Sequence, residues 1–184
     1  MLSNNQGKKI NNYVSCYTVF DLETTGLSAK KDQIIEISAV KVVDGEVVDE
    51  FTSLVNPCCP IPFYSSKVNG IYDDMVAEAP TIDVVLPKFI EFIGDDILVG
   101  HNIHTFDMKF ICRDAHKIFG KIVGNSYVDT LTLSKACLPL LEKHNLVALA
   151  THYGFSSEGA HRALNDCHMN HKVFEALKYE LDKD

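Results

Sequence analysis

No apolar run in this chain approaches the ~18 residues that crossing a bilayer requires, and the longest fall far short of it. The six cysteines, Cys16, Cys58, Cys59, Cys112, Cys137 and Cys167, include no C-x-x-C pair, so a zinc ribbon and a thioredoxin motif are excluded. Glycine (10) and proline (6) are too few for a collagen-like or linker composition. Basic residues are outnumbered 17 to 25 by acidic ones, and the formal charge of −8 argues against a non-specific nucleic-acid coat, which needs a broad basic surface. An enzyme acting on nucleic acid stays open, because bound divalent cations offset carboxylates locally. Residues 1–13 are polar and lack the apolar centre of a signal peptide. The expectation is a flexible polar lead over 1–13 and a single domain over 14–184, cytoplasmic and with reduced thiols.

What the chain does have is a core's worth of apolar residues: 46% of 184 are hydrophobic and 23% charged. A chain of this size buries about 70% of its unfolded surface without staples. Tyr17–Glu23 reads as a strand, Ile34–Val43 as a second, and Asp44-Gly45 as a two-residue hairpin turn leading into a third at Glu46–Val55. Residues 56–70, with three prolines, read as a long loop. Thr81 can cap a helix through IDVVLPKFIEFIG that Pro87 should kink or split. Short strands at 97–99 and 127–130 alternate with helices near 105–119, 131–137, 146–153 and 162–181. A hairpin meander followed by alternating strands and helices predicts an α/β fold with a mixed sheet.

Several carboxylates stand where apolar side chains are expected. Period-2 alternation puts Asp21 and Glu23 on one face of the first strand, side by side, in a stretch whose Val19, Phe20 and Leu22 read as interior. On the last helix, at ~100° per residue from Leu164, Asp166 falls at roughly 200°, between Val173 and Leu177. A carboxylate in a buried stripe is costly unless it is paired or binds metal. Asp107 is mid-stripe on its helix, but so is Asp114, and an acid in a first helical turn also suits the helix dipole. Helix geometry alone does not single Asp107 out. Acids without Cys/His ligand spacing suit hard cations, Mg²⁺ or Mn²⁺, and two such ions about 3.5–4 Å apart serve in-line phosphoryl displacement.

Three segments then carry a resemblance. FDLETTGL (Phe20–Leu27), HNIHTFD (His101–Asp107) and HRALND (His161–Asp166) resemble, in order and spacing, the three motifs of the DEDDh or DnaQ-like 3′→5′ exonucleases. The likeness runs from residue 17 to about 180 and is strongest to the proofreading branch, the DNA polymerase III epsilon subunits and PolC exonuclease domains. It implies a ribonuclease H-like fold with a five-stranded mixed sheet of order 3-2-1-4-5 flanked by helices. It implies two divalent cations, Mg²⁺ or Mn²⁺, held by Asp21, Glu23, Asp107 and Asp166, and a general base at His161, a residue type that titrates near neutral pH. Thr24, Thr25 and Gly26 would hold the terminal nucleotide, Leu27 would wedge against the last bases, and Asn102 and Phe106 would line the nucleotide pocket. Val68 and Asn69 stand where the epsilon subunit has a Val-His pair.

The resulting expectation is removal of 5′-mononucleotides from single-stranded or frayed 3′ ends of DNA, for proofreading or repair. A DNA polymerase is the natural partner, with the chain either free-standing or recruited through a surface of its own. The alternatives are an RNA trimmer of the oligoribonuclease or RNase T kind and a non-catalytic binding module. The latter should have lost an acid or the histidine, and neither is lost. His168 and His171 read as solvated helix residues, Asp129 as a structural hydrogen-bonder, and Lys30, Lys31, Lys109, Arg113 and Arg162 as cations within reach of phosphates.

Overall fold

The computed structural model describes residues 2–3, as backbone, and 7–181. In chain order the elements are β1 (Leu2–Ser3), β2 (Lys9–Ile10), β3 (Cys16–Thr24), β4 (Ile34–Val43), β5 (Glu46–Leu54), α1 (Phe63–Asn69), α2 (Asp73–Val76), α3 (Ile82–Ile93), β6 (Leu98–Gly100), α4 (Asp107–Phe119), β7 (Ile122–Val123), β8 (Tyr127–Asp129), α5 (Thr130–Cys137), α6 (Leu146–His152) and α7 (Ala163–Leu181).

The main sheet has the order β2-β8-β6-β3-β4-β5. Its β3–β4 and β4–β5 pairs are antiparallel, while β6 runs parallel to both β3 and β8. From β5 to β8 this is the expected 3-2-1-4-5 mixed sheet. The difference lies at the edge, where Lys9–Ile10 pairs parallel to Tyr127–Val128 and makes a sixth strand. Residues 8–13, read as part of a flexible lead, are therefore attached: Tyr127 N–H donates to the Lys8 carbonyl, and Tyr13 reaches Glu175. Met1 and residues 4–6 of that lead lie outside the described residues. The hairpin turn forms as read, with φ of 52° at Asp44 and 83° at Gly45, the two positive values a type I′ turn needs.

Alternation along β3 sorts its side chains between two layers. Phe20 and Leu22 join Phe89 of α3 and Phe110 of α4 in one core. Tyr17 and Val19 join Val173, Phe174 and Leu177 of α7 in the other. The Phe20 and Phe89 rings sit 5.3 Å apart, centroid to centroid, and burying each contributes about 1.5–3 kcal/mol. Asp21 and Glu23 share the parity of Val19, so they face α7. Pro87 does not split α3, which runs unbroken from Ile82 to Ile93. Pro87 itself is exposed while Val85, Leu86, Phe89 and Ile93 are buried, so the missing amide lies on the wet side and the packed face holds the helix together. Part of the proline-rich 56–70 segment also differs from the loop reading. Pro62 is the N-cap of α1, which closes on Gly70. No helix among the described residues is long and apolar enough to cross a membrane.

Candidate active site

β3 is a central strand, so Asp21 and Glu23 point out of the sheet's middle toward the first turns of α7. There they meet Asp166. One carboxylate oxygen from each of the three lies within 4.8 Å of the others. Asp107, the first residue of α4, is buried close by and is the largest Coulombic influence on Asp21. It stands beside the three-acid cluster rather than within it, and its carboxylate accepts backbone N–H bonds from Leu22 and from itself. Angle arithmetic could not separate Asp107 from Asp114. The structure does, because Asp114 is tied to the Arg113 guanidinium at 2.8 Å.

Burial raises every one of these acids, and neighbouring negative charge adds to it. Burial pushes Asp21 well above the usual carboxylate range, and the charges of Asp107, Asp166, Glu23 and Glu36 push it further. Glu23 is raised to about 8 by burial and then by Asp166 and Glu36, against a hydrogen bond from the Asn69 side chain that lowers it. Asp107 is raised to about 8, chiefly by burial. Asp166 is raised by burial and held down in part by the backbone N–H and charge of His161. Carboxylate oxygens at this spacing, without a thiolate or imidazole among them, are a donor set for a hard divalent cation. The nearby Cys167 thiol is occupied with the Ser38 carbonyl at 3.3 Å.

His161 lies on the loop entering α7, with its backbone N–H on Asp166 Oδ2 at 3.2 Å and its side chain exposed. Its φ is 69°, and that of Asn102 is 64°. Non-glycine residues held in the left-handed region cluster at functional sites, where surrounding structure imposes them.

The expected substrate contacts divide. Beside Glu23 opens a cleft of about 260 Å³, walled by Leu27, Tyr64, Val68, Asn69 and Phe106. Leu27 is 86% exposed at its lip. Thr24 lines the cleft, but its hydroxyl is donated to the Gly26 carbonyl at 2.7 Å. The Thr25 hydroxyl accepts from Gln33 N–H at 2.9 Å. Both threonine side chains thus brace their own loop. Gly26 is small for an internal reason, since a Cβ there would meet the Asp32 carboxylate at 2.5 Å. Asn102 is not among the cleft residues. Its side chain accepts from the Thr105 hydroxyl, and its N–H donates to Asp129 Oδ1 at 3.0 Å. Asp129 also caps α5, the structural role read for it. Two of the five proposed phosphate-binding cations are engaged elsewhere. Arg113 holds the Ala29 and Asp32 carbonyls, each at 2.6 Å, and Arg162 pairs with Glu36.

Sequence reasoning passed over Glu36, Tyr64 and Ser65. Asn69 was visible only through its place in the resemblance. Ser65 Oγ donates to the Thr25 carbonyl at 2.7 Å and so fastens α1 to the β3 loop. The two helix histidines are not simply solvated: His168 Nε2 lies 3.0 Å from Glu50, and His171 Nδ1 lies 2.9 Å from the Tyr17 hydroxyl. A groove of about 770 Å³ lies at the far end of α7 beside Gly45, His171 and Glu175. It is open, and Glu175 there is already satisfied by Tyr13 and Tyr17.

Comparison with known proteins agrees with this geometry. A family model described as an exonuclease matches residues 18–174. The DNA polymerase III subunit epsilon of Aquifex aeolicus is 38% identical over 165 residues, covering 90% of this chain and 81% of that protein. The PolC-type DNA polymerase III of Clostridium perfringens is 44% identical over 170 residues, but the chain spans 12% of that protein's length. Among solved structures, Exonuclease X in complex with 5′ overhanging duplex DNA matches with a TM-score of 0.74 at 26% identity, over 89% of this chain and 91% of that one.

Proposed function

This chain belongs to the exonuclease family, and from that premise we propose that it is a cytoplasmic, epsilon-like 3′→5′ exonuclease that releases 5′-mononucleotides from single-stranded or frayed 3′ ends of DNA. Its work would be proofreading or repair, with a DNA polymerase as partner. The observation that carries the reading is the meeting of Asp21, Glu23 and Asp166 oxygens at one point.

Those three acids, with Asp107 alongside Asp21, would hold two divalent cations, Mg²⁺ or Mn²⁺. Such cations supply charge neutralisation at the phosphate and lower the pKa of an attacking water. The protein's own groups do the rest. Cations held there would displace the protons that the raised carboxylates favour, leaving those acids charged. His161, exposed beside Asp166, accepts the proton of the attacking water. Leu27 wedges the terminal base away from its neighbour. Phe106 and Tyr64 offer aromatic faces to bases irrespective of sequence, as an exonuclease without base preference requires. Thr24 and Gly26 line the same wall, and Thr25 braces the loop that carries them.

The test uses 3′- and 5′-blocked, single- and double-stranded DNA and RNA oligomers with Mg²⁺ or Mn²⁺. Expected are 5′-mononucleotides from free 3′ ends of DNA, with a large fall in activity in Asp21→Ala and a large but measurable one in His161→Ala. Intact substrate with the native chain, or full activity in Asp21→Ala, overturns the reading. RNA cleaved much faster than DNA transfers it to 3′-end trimming of RNA.

A further inference from the structure

Glu36 and Arg162 belong to no step above, yet they meet at the edge of the site. Glu36 lies on β4 directly across from Glu23 in the antiparallel register and is buried. Its two oxygens receive a fork from Arg162, Nη2 to Oε1 at 2.7 Å and Nε to Oε2 at 3.2 Å. The Ala163 N–H adds a third bond to Oε2 at 3.0 Å. One carboxylate is thus filled by two consecutive residues far away in sequence, and the acid cluster forms without it.

What these bonds hold is the backbone next to His161. That residue has φ of 69°, a conformation an L side chain adopts only when its surroundings impose it. It is pinned on both sides, by its own N–H on Asp166 Oδ2 and by the next residue's fork on Glu36. Bidentate Arg–carboxylate pairs fix direction as well as distance. A buried carboxylate that loses its partner also becomes strongly unfavourable, so the pair resists opening. We propose that the Glu36–Arg162 pair is a positioning latch, which clamps the start of α7 to β4 and thereby aims the His161 ring at the acid cluster, with neither residue touching substrate. The inference rests on the hydrolytic reading above.

The test combines kinetics with a readout that needs no activity. Glu36→Gln keeps the shape and removes the charge, and it lowers kcat by about 10²-fold while KM stays within about threefold. Arg162→Met does the same, and Arg162→Lys, with charge but no fork, falls between it and the native chain. In a His161→Ala background, Glu36→Gln costs less than about twofold more, because the latch has nothing left to aim. Separately, trypsin cleavage of the metal-free chain at the Arg162–Ala163 bond, read by mass spectrometry, runs at least about tenfold faster in Glu36→Gln than in the native chain. Additive losses with His161→Ala, a rise in KM at constant kcat, or unchanged cleavage at that bond each overturn the latch. Arg162 is half-exposed, so Arg162→Lys folds and keeps the kinetic test decisive. A native chain that hydrolyses nothing sinks the proposed function, and the proteolysis result then decides the latch by itself.

Discussion

β3 and α7 meet twice, and the two meetings are opposites. At one end Asp21 and Glu23 face Asp166, like charges within reach of one another. At the other, Tyr17 donates to Glu175 at 2.6 Å and touches His171 at 2.9 Å, while Tyr13 donates to the same carboxylate at 3.1 Å. The helix carries an acid at each end, but Glu175 meets two tyrosine hydroxyls where Asp166 meets two further carboxylates. A fold that can surround a buried carboxylate with hydroxyl donors at one end has no structural reason to crowd three carboxylates against one another at the other. The lesson is that unrelieved repulsion, rather than acidity, marks the working end.

The contrast can be broken at four points. The largest effect should come from Asp21→Asn, which removes a ligand and reduces activity by roughly 10³-fold, the upper range for loss of one electrostatic group. The metal-free melting temperature should hold or rise in the same variant, because a repelling charge has gone; a marked fall would show that Asp21 is structural.

Tyr17→Phe should do the reverse. Losing a hydrogen bond to a charged group costs about 1.5–3 kcal/mol, visible as a lower urea midpoint, with kcat on 3′ ends within about twofold of the native chain.

The third is pH. Glu23 and Asp107 are both raised to about 8, so between about pH 5 and pH 8 the folded metal-free chain holds protons that the unfolded chain releases. Stability therefore falls as pH rises through that window. Thermal melts at several pH values should show this decline, and saturating Mn²⁺ should flatten it, with the largest gain at the alkaline end. Asp21→Asn should weaken the slope and Tyr17→Phe should leave it, since Tyr13 is pushed up to about 12 and Tyr17 higher still.

The smallest effect belongs to Tyr13→Phe. Its hydroxyl shares Glu175 with Tyr17 at a half-buried site, and its loss should shift the urea midpoint by less than about 1 kcal/mol equivalent with no change in activity.

Much of the site was legible because its signals are local. Asp21 and Glu23 are two apart on a strand, Asp166 interrupts a helical stripe, and Asp44-Gly45 writes its own turn. What stayed hidden depends on contacts that one sequence does not pair. Glu36 is one of three polar residues in β4, with nothing in the sequence to set it apart, and its partner lies more than a hundred positions away. The sixth strand is two residues long, too short for any periodicity. Pro62 was read as loop chemistry, and it is the extended residue just before α1, whose carbonyl accepts the first bonds of the helix. Gly26 lines the cleft, and its lack of a side chain also leaves room for the Asp32 carboxylate, a contact that one sequence does not show.

The strand at Lys9–Ile10 also bears on how the protein can be handled. On the opposite margin of the sheet, β5 carries Glu46, Asp49 and Glu50, charges that discourage another chain from docking there. β8 has the sequence YVD and is buried throughout, with the short strap as its outer cover. Trimming the chain past Ile10 to tidy an expression clone would bare that backbone, and the expected penalty is edge-to-edge aggregation rather than loss of catalytic groups.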